Sequence, residues 1–201
     1  FALTAAHVIN QLYENFDPTI EAVGGMFEDG STWKVFEVLK SELHPTEDVG
    51  ILKVAGSWRS DFRVSSQLHV YGTEYLMFGY PHEVAKELKM LDDLAGERPE
   101  MIYGTGYIRR SITRQIYPIM IYKGTHFYEV SERMGGGASG AAVIKRQLIV
   151  VGTTVQQVIG IYIGENEVVG YVVRSEAFAN WSPALLGRSI EEEANAQNHI
   201  I

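Results

Sequence analysis

Residues 158–174 read VIGIYIGENEVVGYVVR: two short runs rich in Val, Ile and Tyr on either side of a polar segment. β-branched and aromatic residues suit a pleated, half-buried surface, so both runs are expected to be strands. The same composition returns in WKVFEVLK (33–40), VGILKVAG (49–56), EYLMFGY (74–80), MIYGTGYI (101–108), IYPIMIYKG (116–124), SGAAVIK (139–145) and LIVVGTTV (148–155). Short strands punctuated by glycine and polar turns point to a barrel or sandwich, not to alternating βαβ units. Helical pattern is confined to AAHVINQLYENF (5–16), PHEVAKELKMLDDL (81–94) and a terminal segment from Ser175 that Pro183 should break or kink.

The chain of 201 residues is 46% hydrophobic and 21% charged, an ordinary balance for a globular protein with a substantial core. Its net charge of −8 argues against a general nucleic-acid binder; Arg109, Arg110 and Arg114 are read as a solvated strand or loop. The absence of cysteine excludes disulfides, thiol nucleophiles and thiolate metal sites. Apolar runs are too short for a transmembrane helix. His44, His69, His82 and His126 lack zinc-ligand spacing, and neither GTGYI nor GGGASG carries the Lys-Ser/Thr ending of a phosphate loop.

Three further stretches matter together. LTAAH ends in His7, EDVGILKV carries Asp48 just before an apolar run, and GGGASGA holds Ser139 in a glycine-rich turn. A serine hydroxyl becomes a nucleophile when an imidazole takes its proton. A carboxylate on the other ring nitrogen fixes the imidazole tautomer, and backbone N–H groups in a glycine-rich turn can hold an oxyanion. Each stretch alone has a bland reading: a structural histidine, a turn aspartate, a tight turn.

The order His, Asp, Ser in LTAAH, DVGILKV and GASGA resembles the chymotrypsin/trypsin-like serine proteases, above all their disulfide-free bacterial branch that includes the HtrA-like enzymes. LMFGYP (76–81) resembles the segment opening that family's second barrel, and VVGYVVRSEAF (168–178) its passage into a C-terminal helix. The resemblance spans roughly residues 1–185. It implies a mainly β chain of two six-stranded antiparallel barrels with a C-terminal helix. Only six residues precede His7, so the first barrel is expected to lack its N-terminal strands in this sequence. The expected division is 1–85 for the half carrying His7 and Asp48, 86–100 for a connection, 101–175 for the half carrying Ser139, and 176–201 for the helix and tail.

The resemblance further implies a serine endopeptidase with catalytic His7, Asp48 and Ser139, and an oxyanion hole from the amides of Gly137 and Ser139. It implies no cofactor, a protein or peptide substrate, an activating partner or flanking domain, and a cytoplasmic or alternatively periplasmic location. Ala138 stands where digestive relatives carry an acid, so their zymogen ion pair is not expected. Arg133, six residues before the nucleophile, is placed at the base of the primary pocket, with Ile163, Gly164, Glu165 and Gly170 as walls. An inward Arg133 would select an acidic residue before the scissile bond. Turned to solvent, or paired with Glu165, it would leave a pocket for small apolar residues. The rival reading is a protease-fold peptide-binding module, inactive or gated by a partner.

Overall fold

A computed structural model describes residues 1–14, 23–27, 33–56, 60, 62–81, 101–116, 122–146 and 156–196. Strands β1 (Ala2–Thr4), β2 (Val23–Phe27), β3 (Trp33–Leu43) and β4 (Gly50–Val54) form one antiparallel sheet in the order β1-β4-β3-β2. Helix α1 (Ala6–Glu14) leaves β1 directly. Six further strands close into a barrel: β6 (Glu74–Gly79), β7 (Ile102–Thr113), β8 (His126–Val130), β9 (Ala142–Lys145), β10 (Gln156–Glu165) and β11 (Gly170–Arg174). The order around it is β11-β8-β7-β6-β9-β10, and β10 pairs back onto β11. Strand β5 (Phe62–Val64) adds to β10 in parallel. The architecture is mainly β, with one closed barrel, a second sheet and a C-terminal helix.

The sequence expectation needs one adjustment, at the terminal helix. The first half shows four strands among the described residues, in keeping with an expected first barrel that lacks its N-terminal strands. After β4 the chain crosses to the second sheet, where β5 bonds to β10 and β6 bonds to β7 and β9. The terminal helix does not start near Ser175. That residue opens a single 3-10 turn (Ser175–Ala177), and α2 spans only Ile190–Ala196. Between them the chain turns at Pro183, whose carbonyl accepts the N–H groups of Leu186 and Gly187, and Gly187 has φ +75°. The start of α2 is then specified locally by a capping box. Ser189 Oγ accepts the Glu192 N–H at 3.2 Å while the Glu192 carboxylate accepts the Ser189 N–H at 2.8 Å. The expected segments 86–100 and 148–155, and most of 116–124, lie outside the described residues.

Strand β8 escaped the sequence reading because HFYEV carries an acidic residue, Glu129, near its end. Glu129 is nevertheless buried, bonded to Arg110 Nε at 2.8 Å and 3.6 Å from Arg109 Nε. The GTG of β7 has a packing reason. A Cβ at Gly104 would lie 2.7 Å from Met134 Sδ, and one at Gly106 would lie 2.6 Å from the Tyr75 hydroxyl.

Two apolar clusters organise the molecule, and β10 runs between them. Ile159 and Tyr162 point into the barrel with Tyr75, Met77, Tyr128 and Val172. Ile161 and Ile163 point the other way and join Ala5, Val49 and Ile51 of the first sheet with Phe127, Val173 and Phe178. This second cluster is the core shared by the two halves, and the candidate site lies along it.

Candidate active site

The small residues of LTAAH decide where the histidine sits. Ala5 and Ala6 are buried under the shared core, and α1 begins there, leaving the His7 ring partly exposed at the seam. Asp48 enters from the turn before β4 and has 1% of its surface exposed. One carboxylate oxygen accepts the His7 backbone N–H at 2.8 Å; the other lies 2.7 Å from Nδ1 of the same residue. Asp48 thus fixes both the main chain and the ring of His7. With Nδ1 donating, Nε2 is left with a lone pair.

Glu47, next to Asp48, faces the opposite way. It is buried and accepts the N–H groups of Thr125 (3.1 Å) and His126 (3.3 Å), with His126 Nδ1 at 3.0 Å. All three donors come from the second half. Gly124, with φ +111°, lets that segment approach; a Cβ there would lie 2.2 Å from Glu47 Oε2. His44 completes the turn by accepting the Glu47 N–H on Nδ1 at 3.0 Å. Burial, outweighing the nearby Glu47 carboxylate, holds the His44 imidazole below its usual pKa.

Ser139 follows a turn shaped by Gly135 (φ +86°) and Gly137 (φ +94°), backbone angles that glycine adopts freely. The turn is anchored at both ends. Gly140 N–H donates to the Tyr162 carbonyl at 2.8 Å, and Gly135 N–H donates to the Glu165 carboxylate at 2.9 Å. Gly140 also lies against Thr4, whose Oγ1 would be 2.3 Å from an added Cβ, so the turn abuts the strand leading to His7. Among the described residues, the N–H groups of Gly137 and Ser139 have no intramolecular acceptor.

The Ser139 hydroxyl donates to the Ile163 carbonyl at 3.0 Å and not to His7. That carbonyl is free because the β10–β11 register shifts between Tyr162 and Gly164, leaving Ile163 as the extra residue of a bulge. Tyr122 lies over the same edge. Its ring centroid is 5.5 Å from that of His7, and a Cβ at Gly164 would sit 1.8 Å from its hydroxyl oxygen. Burial first, and then the charges of Asp48 and Glu165, raise the Tyr122 phenol pKa.

The pocket residues fall out differently from one another. Arg133 does not point inward: its exposed guanidinium donates to the carbonyls of Asn166 (3.4 Å) and Glu167 (2.9 Å). Glu165 does not pair with it; that carboxylate holds Gly135 N–H and accepts the Tyr162 hydroxyl at 2.5 Å. Ile163 packs in the shared core, Gly164 lies under Tyr122, and Gly170 backs onto the Tyr162 ring. Sequence reading missed Glu47, Tyr122 and Tyr162. Glu47 had a faint signal, a second acid beside Asp48 in a turn; Tyr162 was one aromatic within an aliphatic strand. Among the described residues no group of three His, Asp or Glu side chains is arranged to hold a metal.

No protein-family model matches the sequence, and no curated protein does. Solved structures match its fold. The active form of the Rv3671c protease from M. tuberculosis superposes with a TM-score of 0.59 at 19% identity, over 93% of this chain and 69% of that one. Deg5 gives 0.59 at 15%, over 87% of this chain and 73% of its own. The HtrA-type protease AlgW with a decapeptide gives 0.56 at 16%, over 87% of this chain and 45% of that one. The chain therefore has the chymotrypsin-like fold of the HtrA-type serine proteases.

Proposed function

We propose that the protein is a serine endopeptidase in which Ser139 attacks the peptide carbonyl, with His7 as general base and then general acid. The observation that carries this reading is the His7–Asp48 couple: a buried carboxylate 2.7 Å from Nδ1, at the seam where the nucleophile turn meets the other half. Asp48 keeps the proton on Nδ1 and stabilises the imidazolium formed when Nε2 takes the serine proton. The unpartnered N–H groups of Gly137 and Ser139 supply the donors for the oxyanion. The leaving amine takes its proton from His7, and water repeats the sequence on the acyl-enzyme.

Ser139 must first leave the Ile163 carbonyl. This is a side-chain rotation, and it exchanges a hydrogen bond of about 1 kcal/mol for one to Nε2. The substrates are peptides; AlgW, one of the structures that share the fold, has been solved with a decapeptide and with a tripeptide. A second reading, an enzyme gated by a partner, is favoured by Tyr122, which lies on Gly164 beside the nucleophile. Fluorophosphonate labelling decides between them, with Ser139→Ala as control. Labelling confined to the parent supports an enzyme active at rest. Labelling that appears only with added peptide supports gating, and none under any condition refutes catalysis.

A further inference from the structure

We infer that Glu165 and Tyr162 are positioning residues for the oxyanion hole, bracing the loop 134–141 so that the Gly137 and Ser139 N–H groups are held in place. This rests on the endopeptidase reading above and adds to it the residues that keep those donors fixed. The need for a brace arises within the loop. It begins Met-Gly-Gly-Gly, with Gly135 at φ +86° and Gly137 at φ +94°, and glycine loses the most conformational freedom on being fixed. Ala138, between the two donor residues, carries a methyl group and can anchor nothing through its side chain. Its N–H donates to the Gly135 carbonyl at 3.3 Å, and its carbonyl accepts the Ala141 N–H at 3.1 Å. Both bonds are internal to the loop and do not tie it to the barrel.

The ties to the barrel come from one end of β10. The Tyr162 main chain grips the end of the loop: its carbonyl accepts the Gly140 N–H at 2.8 Å, and its N–H donates to the Ala141 carbonyl at 2.9 Å. The Tyr162 side chain has no exposed surface and reaches the start of the loop, where its hydroxyl accepts the Met134 N–H at 3.2 Å. The same hydroxyl donates to Glu165 Oε2 at 2.5 Å, and that oxygen also accepts the Gly135 N–H at 2.9 Å. Met134, Gly135, Gly140 and Ala141 are thus all tied to the same stretch of β10, and the donors at Gly137 and Ser139 lie between the ties. The ring belongs to the buried cluster of Tyr75, Met77 and Val172, which holds it in place. Burial first, and then the bond to Glu165, raise the Tyr162 pKa, so the phenol remains a donor.

The two bonds to Glu165 end on one oxygen, so the demand on that residue is an acceptor in the right place. A carboxamide oxygen can meet it. Alanine cannot: the Gly135 N–H and the phenol would lose their acceptor together. The loss would then fall on the transition state, where the oxyanion exists, and not on the bound substrate.

The test is saturation kinetics of fluorophosphonate labelling and cleavage of a fluorogenic peptide by the parent, Glu165→Ala, Glu165→Gln and Tyr162→Phe, with a urea unfolding curve for each. In Glu165→Ala the maximal labelling rate and kcat should fall by about tenfold to a hundredfold, with KM changed by less than about threefold. Tyr162→Phe keeps the ring and loses the hydroxyl, and its kcat should fall by about tenfold. Glu165→Gln should recover most of the turnover lost in Glu165→Ala. A merely structural role predicts turnover that falls only with the folded fraction, and a glutamine variant no better than alanine. Either result overturns the inference, as does a folded Glu165→Ala with kcat within about threefold of the parent. If Glu165→Ala does not fold, an unchanged kcat in Tyr162→Phe overturns it and a reduced kcat at unchanged KM supports it. A parent that labels and cleaves alongside equally active variants refutes the positioning role alone. A parent that neither labels nor cleaves refutes the endopeptidase reading, and the inference with it.

Discussion

Replacing Asp48 by asparagine keeps the shape of the side chain and removes what it does. The carboxylate accepts two donors from one residue, the His7 N–H at 2.8 Å and Nδ1 at 2.7 Å, with 1% of its surface exposed. Asparagine has a single oxygen acceptor and an NH₂ group. If the oxygen keeps the backbone N–H, the NH₂ faces Nδ1 and makes it an acceptor, which moves the ring proton to Nε2. That nitrogen can then no longer take a proton from serine. The inverted tautomer costs about four orders of magnitude in turnover, or about 5 kcal/mol of barrier. If the oxygen turns to Nδ1 instead, the NH₂ opposes the backbone N–H in a buried place, and folding stability falls by about 1–3 kcal/mol. The assay pairs the second-order rate of fluorophosphonate labelling with a urea unfolding curve. A labelling rate within about tenfold of the parent, with unchanged stability, would refute the assigned role of Asp48.

Other perturbations test the surroundings. Glu47→Ala removes the acceptor of three donors from the second half, and urea unfolding should show a loss of about 3 kcal/mol. Gly164→Ala puts a methyl group 1.8 Å from the Tyr122 hydroxyl at φ +146°, so it should cost at least about 1–3 kcal/mol on the same assay. His44 is held below its usual pKa by burial, so the unfolded chain binds more protons in mild acid. Its contribution is complete above about pH 6.5 and is lost as the pH falls from there toward its folded pKa. The melting temperature of His44→Gln should consequently fall less than that of the parent between about pH 7 and pH 5.

The sequence carried the β character of the chain because strands such as β4, β6 and β11 are β-branched runs bounded by polar turns. It marked His7, Asp48 and Ser139 as candidates by their order and local setting; the structure joins His7 to Asp48, while Ser139 bonds to the Ile163 carbonyl. Strand β8 was hidden because Glu129 is paired with Arg110, a partner 19 positions away. The pocket was illegible for a related reason. Spacing from Ser139 marks Arg133, but only the fold shows its guanidinium on the outer carbonyls of Asn166 and Glu167. The bulge at Ile163 likewise comes from unequal strand pairing, which no local composition announces.

Glu47 and Asp48 are consecutive and face opposite ways, one toward the other half and one toward the imidazole. A slip between the halves would pull on Glu47 through Thr125 and His126, and the same peptide unit would swing the Asp48 carboxylate away from Nδ1. On the catalytic reading proposed above, the two acids would couple shear at the seam to rotation of the ring. Loosening of the seam, by pressure, mild denaturant or a distant substitution, should therefore silence the serine before the barrel itself begins to melt.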